Sequence, residues 1–491
     1  MQGLRLQAQP RGRCRAKGWG DEGRFVRRSQ GELSMATRNN IRQFIVLKAI
    51  NDLREHYAGG DLGMIRGILH SYLRQRGYEP AERDFEVTIL PSKKWTLEIA
   101  DKDSNGELRR ERLQPVPTLD IGLTFYSQEA LDNVRKAINE DQAKELFVGI
   151  GADLPFQATD CWCPGEATDP IYGDRSDADK LINAKVLERE GLKGRNVNVV
   201  VIDRGLDLNH IKVAGRWQFA MANRTPVPTP DNHAMMVARH IQKTAPHAAI
   251  FDCALLPEHI SDIEQFMIVA HSAYVQMLAD IASWKQNHSE STQWVFVNAW
   301  AIYNRRSEYP PGDYTNNADH PFNSIVREAA AADQIDIVFA AGNCGLFCPK
   351  MNCGRNDRGP GRSIFGANSH TNVLTTGAVR TDRMWLGYSS QGPGQSNLDT
   401  QKPDLCVPSQ YRETHDAHLV NTGTSASCAL AAGVIAALRS RAGWDSTTIS
   451  PDRLRNYLIK NSTNYPQWDG KLGHGILDVE AAFNELEHDF P

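Results

Sequence analysis

Apolar residues recur with two different periods in the first third of the chain and predict a small mixed α/β domain over residues 39–152. Apolar residues spaced by four, from Ile41 to Tyr57, predict a helix over residues 41–57. A second helix is predicted at 62–76, and alternating apolar residues predict a hairpin of strands at 85–89 and 95–99. The remaining predicted elements are a strand at 119–125, a helix at 128–139 and a strand at 146–150.

The pattern changes after a stretch rich in Pro, Gly and Asp, which predicts a linker over residues 153–179. Beyond it, apolar strands alternate with helices, as is typical of a parallel α/β sheet, and predict a second domain over residues 180–488. The predicted strands lie at 197–202, 250–255, 294–297, 337–340 and 373–376. The predicted helices lie at 234–243, 260–287 and 323–333.

The most apolar segment predicts a buried helix at 429–438, in which Leu430, Val434 and Leu438 repeat every four residues. Small and hydroxylated residues directly precede it and place Ser425 at its N-terminus. The N–H groups and the dipole at a helix N-terminus stabilise an anion, which suits a serine that takes part in acyl transfer. The alternative is a Ser/Thr cap on a core helix.

Three other polar residues are predicted at the ends of elements in the second domain. Asp203 directly follows the first predicted strand, His233 opens the next helix, and Asn343 follows the fourth strand. Each alone fits a turn or capping residue. Because catalytic groups lie at the carboxyl ends of parallel strands, we interpret them together with Ser425 as an acid, a base, an amide donor and a nucleophile.

These residues stand in motifs that resemble those of the subtilisin family of serine peptidases, whose catalytic residues follow the chain order Asp, His, Ser. The nucleophile motif is Gly423-Thr424-Ser425. The segments that carry the resemblance are residues 200–210, 232–238, 339–343, 389–393, 402–404, 423–425 and 473–478. The resemblance implies a subtilisin-like three-layer α/β fold with a mainly parallel central sheet flanked by helices.

The resemblance also implies a serine endopeptidase that hydrolyses peptide bonds through an acyl-enzyme. Asp203 would support His233, His233 would act as general base and then as acid, and Ser425 would attack the peptide carbonyl. Asn343 and the Ser425 backbone N–H would bind the oxyanion. The implied substrate-binding residues are Ala299, Trp300, Ala301, Ala341 and Gly342.

Residues beside the implied catalytic residues depart from the family pattern. Ala234, Met235 and Met236 stand where the family has Gly-Thr-His, and Ala429 stands where it has proline. Alanine and methionine lack both the close backbone approach of glycine and the polar groups of Thr and His, which predicts a tighter or more apolar substrate cleft. The alternative function is therefore a catalytically weakened homologue that acts as a peptide-binding or regulatory module.

The domain at 39–152 occupies the place where this family often carries a propeptide. It resembles one only in its position and its mixed α/β content, and a regulatory domain is the alternative. If it is a propeptide, we expect cleavage between Asp153 and Asp179.

Composition narrows the expected partners. A net charge of −4 over 491 residues gives no attraction to nucleic acid, and no apolar run is long enough to cross a membrane. The first forty residues carry nine basic and three acidic side chains without a following apolar block, which predicts a disordered basic tail over residues 1–38 and a cytoplasmic location. Met35 is an alternative start of translation. We expect protein or peptide substrates, and the oligomeric state stays open.

The chain has nine cysteines, which are too sparse for a disulfide scaffold. In a reducing compartment, the cluster Cys344, Cys348 and Cys353 has three alternatives: a metal site completed by Cys161 or Cys163, a disulfide, or free thiols. The implied chemistry requires no metal or cofactor. Calcium is compatible with the family, but no acidic loop identifies a site.

Overall fold

The computed structural model describes residues 40–49, 53, 62–81, 84–89, 96–102, 108–110, 116, 118–140, 146–158, 171–218, 232–256, 265–288, 292–332, 334–414 and 419–491. Asn40–Pro491 form one compact unit. The predicted tail over residues 1–38 lies outside the described residues and stays a prediction.

The elements are numbered in chain order. The strands are β1 (Ile41–Lys48), β2 (Phe85–Ile89), β3 (Thr96–Lys102), β4 (Leu108–Arg110), β5 (Thr118–Phe125), β6 (Phe147–Ala152), β7 (Pro155–Ala158), β8 (Val197–Asp203), β9 (Gly215–Gln218), β10 (Ala249–Ala254), β11 (Gln265–Phe266), β12 (Gln293–Asn298), β13 (Trp300–Ala301), β14 (Asp336–Ala340), β15 (Leu374–Val379) and β16 (Leu405–Pro408). The helices are α1 (Leu62–Gln75), α2 (Gln128–Asn139), α3 (Arg175–Leu181), α4 (Lys185–Arg189), α5 (His233–Thr244), α6 (Met267–Asn287), α7 (Pro321–Ala331), α8 (Gly423–Arg439), α9 (Pro451–Lys460) and α10 (Val479–Asp489), with a 3₁₀ turn at Gly366–Ser369.

A nine-stranded sheet lies at the centre of the fold, in the order β16-β15-β14-β12-β8-β10-β9-β3-β4. The strands from β16 to β9 pair in parallel, and β3 and β4 extend the sheet as antiparallel strands. All five strands predicted in the second domain are present, which confirms the predicted parallel α/β sheet. Their nearly continuous apolar sequences follow from burial on both faces of the sheet.

Helices cover the two faces of this sheet and make three layers. Val199 and Val201 of β8 pack in one core with α5 and α8, whereas Val200 and Ile202 pack in a second core with α6 and α7. All residues of α8 are buried, because its many Ala and Gly residues let the sheet and α5 approach closely. The predicted core helix at 429–438 is confirmed, and it begins earlier, at Gly423.

The N-terminal region forms a four-stranded antiparallel sheet in the order β2-β5-β1-β6, with α1 and α2 packed in its core. The predicted helix at 41–57 is wrong over residues 41–48, which form β1. Of residues 50–57, only Leu53 lies within the described part of the chain, and it is helical. The run from Phe44 to Leu47 is almost fully buried on both faces of the strand. A short apolar run of this kind fits a buried strand as well as a helix, and residues four apart share a face in both.

The predicted hairpin of residues 85–89 and 95–99 is also wrong, although both segments are strands. β2 pairs with β5 in the N-terminal sheet, whereas β3 pairs with β9 at the edge of the large sheet. Alternation of apolar residues predicts a strand, but it does not determine which strand becomes its partner.

Part of the predicted linker at 153–179 is ordered structure. It contains β7 and most of α3, and residues 159–170 lie outside the described part of the chain. The Asp153 side chain accepts a hydrogen bond from the Ile268 backbone N–H at 3.1 Å and so supports the start of α6. The helix predicted at 260–287 therefore begins at Met267 in the described residues. The division into domains at residue 152 stays a prediction.

Candidate active site

Asp203 lies at the carboxyl end of β8, in the middle of the large sheet, and is fully buried. Its carbonyl oxygen accepts hydrogen bonds from Leu255 and Leu256 N–H at 2.8 and 2.9 Å, and its Oδ1 accepts from Arg204 N–H at 2.7 Å. These contacts hold both the backbone and the carboxylate at the strand end.

A buried ion pair supports the turn that follows Asp203. Asp252 lies 2.9 Å from Arg216 Nε and accepts a hydrogen bond from Leu206 N–H at 3.2 Å. Burial raises the pKa of Asp252 to about 6, despite the guanidinium beside it. This pair was not predicted, although a carboxylate within the apolar strand β10 is a visible signal in the sequence.

His233 is the first residue of α5, and Asn232 caps that helix. The Asn232 side chain accepts from Met235 N–H and donates to the Gly205 carbonyl, both at 2.9 Å. It therefore ties the helix that carries His233 to the turn after Asp203. This role of Asn232 was not predicted, although Asn directly before a helix is a common capping signal.

The structure brings Asp203, His233 and Ser425 together into one chain of hydrogen bonds. His233 Nδ1 lies 2.9 and 2.7 Å from the two Asp203 carboxylate oxygens, and Nε2 lies 2.8 Å from Ser425 Oγ. Ser425 Oγ also lies 3.4 Å from the Ala299 carbonyl oxygen. A carboxylate that accepts from Nδ1–H leaves Nε2 as the acceptor facing the hydroxyl group.

Asn343 lies beside Ser425 and is held by Thr424. Asn343 Oδ1 accepts from Thr424 N–H at 3.1 Å and from Thr424 Oγ1–H at 3.0 Å, while Gly342 N–H donates to Thr424 Oγ1 at 3.2 Å. Because both Thr424 donors hold the amide oxygen, the orientation of the Asn343 NH₂ group is fixed. Thr424 belongs to the nucleophile motif, but no role was predicted for it.

Positive φ angles explain two glycines next to these residues. Gly342 has φ +101° and Gly423 has φ +72°, in the left-handed region that L side chains rarely adopt. Gly342 turns the chain between β14 and Asn343, and Gly423 turns it into α8, two residues before Ser425. A side chain at either glycine would strain the backbone that positions the site.

The predicted substrate-binding residues Trp300 and Ala301 form β13. This strand pairs antiparallel with β7, so that Trp300 faces Ala158 and Ala301 faces Gln157. On its other side, β7 pairs antiparallel with β11. A strand from the N-terminal part of the chain therefore lies between β11 and β13, the strand that directly follows Ala299.

The other predicted substrate-binding residues, Ala299, Ala341 and Gly342, are buried around the same strand ends. Ala341 N–H donates to the Thr376 carbonyl at 3.0 Å, which uses this amide within the sheet. The carbonyl of Ala299 faces Ser425, as its hydrogen-bond distance indicates. These contacts describe where the residues lie, and their roles towards a substrate stay predictions.

The residues that depart from the family pattern lie in the core. Ala234, Met235 and Met236 are at most 6% exposed, and together with the fully buried Ala429 they pack in the core between the large sheet, α5 and α8. Met235 Sδ additionally accepts a hydrogen bond from Asp207 N–H at 3.3 Å. They therefore fill the layer behind His233 and Ser425, which gives no support to the predicted apolar cleft walls.

Of the three alternatives for the cysteine cluster, the disulfide is observed. Cys344 is bonded to Cys353, and Cys348 is also disulfide-bonded. Disulfides persist mainly in oxidising compartments, which opposes the predicted cytoplasmic location. The remaining described cysteines, Cys253, Cys406 and Cys428, are buried thiols whose pKa is raised by burial, as expected of core residues.

Within the described ranges, no three His, Cys, Asp or Glu side chains are grouped so that they could hold a metal ion. Cys161 and Cys163, named in the predicted metal alternative, lie outside those ranges. The same ranges contain no helix that is long and apolar enough to span a membrane.

Comparisons with known proteins agree with this architecture. A model of the Subtilase family matches residues 194–475. Subtilisin DY from Bacillus licheniformis is 24% identical over 316 residues, which cover 62% of this chain and 96% of that protein. Subtilisin E from Bacillus subtilis (strain 168) is 24% identical, and the match covers 61% of this chain and 69% of that protein.

Among solved structures, MycP1 from the ESX-1 type VII secretion system is 18% identical with a TM-score of 0.43, and the match covers 67% of this chain and 91% of that chain. The family match spans more than half of the chain. The chain belongs to the subtilase family, a family of serine proteases.

Proposed function

We propose that the chain is a serine endopeptidase that hydrolyses peptide bonds in proteins through an acyl-enzyme on Ser425. The observation that carries this proposal is the position of the His233 ring, which lies 2.7 Å from Asp203 Oδ2 and 2.8 Å from Ser425 Oγ. Nε2 would accept the hydroxyl proton as Oγ attacks the substrate carbonyl, and the Asp203 carboxylate would stabilise the resulting imidazolium.

The same ring would complete the reaction. The imidazolium would give its proton to the leaving amine, and the neutral ring would then activate the water that hydrolyses the acyl-enzyme. The His233 and Asp203 side chains are only 3% and 0% exposed, and this burial strengthens the interaction between the carboxylate and the ring.

Asn343 and the Ser425 backbone N–H are proposed as the donors that bind the oxyanion. Thr424 holds the Asn343 amide oxygen from two directions, and this fixed orientation supports a donor role for the NH₂ group. A donor fixed before the reaction needs no reorganisation when negative charge develops on the substrate oxygen.

A peptide substrate would bind as an extended strand at the place that β7 occupies. Main-chain hydrogen bonds to both neighbours are a common mode of peptide recognition, and β7 pairs with β11 and β13 in this way. Because β7 follows the N-terminal sheet, its position supports the propeptide-like alternative for residues 39–152, in which the chain blocks its own cleft.

The direction of β7 supports self-cleavage within the predicted interval from Asp153 to Asp179. Gln157 faces Ala301 and Ala158 faces Trp300, so the C-terminal end of β7 lies at the end of β13 nearer to Ala299. The Ala299 carbonyl lies 3.4 Å from Ser425 Oγ. Mass analysis should give a shortened product for the wild type and an intact chain for Ser425→Ala, and identical intact masses would reject self-processing.

A serine-directed fluorophosphonate probe tests the proposed activity directly. The wild-type chain should react, peptide mapping should place the label on Ser425, and Ser425→Ala or heat-unfolded protein should not react. A folded wild-type chain that stays unlabelled, with its N-terminal segment removed by limited proteolysis, would contradict the peptidase proposal.

A further inference from the structure

The loop closed by the Cys344–Cys353 disulfide, residues 344–353, begins directly after Asn343. Lys350 N–H donates to the Asn343 carbonyl at 2.9 Å, and Gly345 N–H donates to the Tyr388 carbonyl at 2.7 Å. The disulfide joins the two ends of the loop beside the proposed oxyanion residue. The disulfide and these two hydrogen bonds therefore hold this disulfide loop beside Asn343.

Two polar side chains of the disulfide loop contact β7. Lys350 Nζ donates to the Ala158 carbonyl at 3.1 Å, and Tyr303 Oη–H donates to the same oxygen at 3.1 Å. Asn352 Nδ2 donates to the side-chain oxygen of Gln157. The chain in the cleft is therefore held by the backbone of β13 on one side and by side chains of the disulfide loop on another.

We propose that Asn352 of the disulfide loop is a specificity-determining residue that selects peptides with a hydrogen-bond acceptor, Gln or Glu, at the place of Gln157. Lys350 holds the carbonyl of the next residue whatever its side chain. This inference rests on the proposed peptidase function, because it treats β7 as a stand-in for the substrate.

The hydrogen-bonding capacity of Asn352 explains the selection. Cys353, which follows it, is held by the disulfide, so the backbone that carries Asn352 is anchored. Its Oδ1 is buried without a hydrogen-bond partner among the described residues, and an apolar side chain at the place of Gln157 would leave Nδ2 without its partner as well. A site that donates such a bond rejects the analogue that cannot accept it.

A double-mutant cycle in the full chain tests the contact without relying on catalysis. In a Ser425→Ala background, hydrogen exchange of the β7 amides is compared for Asn352→Ala, Gln157→Leu and the two combined. Each single substitution should raise the exchange rate about fivefold, the effect of losing one hydrogen bond. Because both substitutions remove the same bond, the double variant should exchange at the rate of the single variants. Additive effects, or no change, would overturn the proposal.

Two further variants make the test specific. Gln157→Glu keeps an acceptor and should exchange like the background chain. Asn356→Ala alters an exposed asparagine just beyond the disulfide loop and should leave exchange unchanged. If Gln157→Glu exchanges as fast as Gln157→Leu, the contact does not select acceptors and the proposal is wrong.

Fluorophosphonate labelling of the same variants with Ser425 restored separates this inference from the proposed function. Loss of the Asn352 contact should speed labelling about fivefold, because the probe reaches Ser425 when β7 leaves the cleft. If no chain is labelled even after limited proteolysis removes the N-terminal segment, while the exchange pattern is intact, the peptidase proposal is contradicted and Asn352 remains a residue that selects bound peptide. Equal labelling of all variants contradicts the proposed selection by Asn352 and leaves the peptidase proposal intact.

Discussion

Two regions that meet beside Ser425 are built in different ways. The proposed catalytic residues stand at the ends of elements, and the parallel sheet brings Asp203, His233 and Ser425 to one edge. The N-terminal region instead contacts the strand beside the site through the pairing of β7 with β13. The first region depends on particular side chains, and the second depends mainly on backbone hydrogen bonds.

This difference predicts how each region responds to substitution. Single side-chain changes at the sheet edge should reduce turnover by large factors with little loss of structure. Changes in the N-terminal contacts should alter how firmly β7 stays in place, with effects of the size of one or two hydrogen bonds.

Replacing the nucleophile should have the largest effect. Ser425→Ala should lower kcat on a peptide substrate by about 10⁶-fold, the size of the loss in subtilisin, because no hydroxyl remains to form the acyl-enzyme. Ser427→Ala is the matched control, since Ser427 lies in the same helix and donates to the Val407 carbonyl at 2.8 Å. Comparable loss in both variants would mean that the damage is structural.

Removing the proposed oxyanion donor should have the next largest effect. Asn343→Leu keeps the approximate volume but removes the NH₂ group, and kcat should fall about 10²- to 10³-fold, as for removal of one such donor from subtilisin. KM should hardly change, because the donor acts mainly on the transition state. A rise in KM with kcat preserved would show that Asn343 binds the ground state instead.

The sequence predicted the large sheet and its site better than the N-terminal region. Asp203, His233, Asn343 and Ser425 follow local strand and helix signals, so their meeting at one edge follows from the parallel topology. The pairing of β7 with β13 joins segments far apart in sequence and has no local signal. The run at 41–48 fits a helix as well as a strand, and only its burial between neighbouring strands decided the outcome.

The third prediction concerns the contact between β6 and α7. The His320 ring is buried, its Nε2–H donates to the Ala152 carbonyl at 3.0 Å, and its Nδ1 accepts from Phe322 N–H at 3.2 Å. Burial lowers the pKa of His320 from 6.5 to about 4, while the charges of Asp313, Arg135 and His271 act on it more weakly. Protonation would place a second donor against Phe322 N–H.

The direction in which stability changes with pH follows from this lowered pKa. As the pH falls from 6.5 to about 4, the proton binds the exposed ring of an opened state but not the buried ring, so stability is lost in this window. The loss should reach up to about 3 kcal/mol and level off below pH 4. The protection of the β6 amides in Ser425→Ala, measured relative to the intrinsic exchange rate at each pH, should fall accordingly.

A variant at His320 isolates this contribution. Burial raises the pKa of Asp153 to about 6, so this carboxyl has the opposite sign and favours the folded state as the pH falls from 6. The loss of stability between pH 6.5 and 4 should therefore appear in the background chain and be absent from His320→Gln. The same pH dependence in both chains would remove His320 as its origin.

The smallest effect is expected at Thr424, which positions Asn343. It tests whether the proposed catalytic residues and the N-terminal region are independent of each other. Thr424→Val removes the hydroxyl that donates to Asn343 Oδ1 at 3.0 Å and accepts from Gly342 N–H at 3.2 Å, while the Thr424 N–H bond remains. We expect kcat to fall about tenfold, the worth of one hydrogen bond of about 1.4 kcal/mol, with KM unchanged. Thr424→Ser should restore kcat, because it returns the hydroxyl. Exchange of the β7 amides should stay at the background rate. A faster rate would mean that the orientation of Asn343 is coupled to the position of β7 through the hydrogen bond from Lys350 N–H to the Asn343 carbonyl.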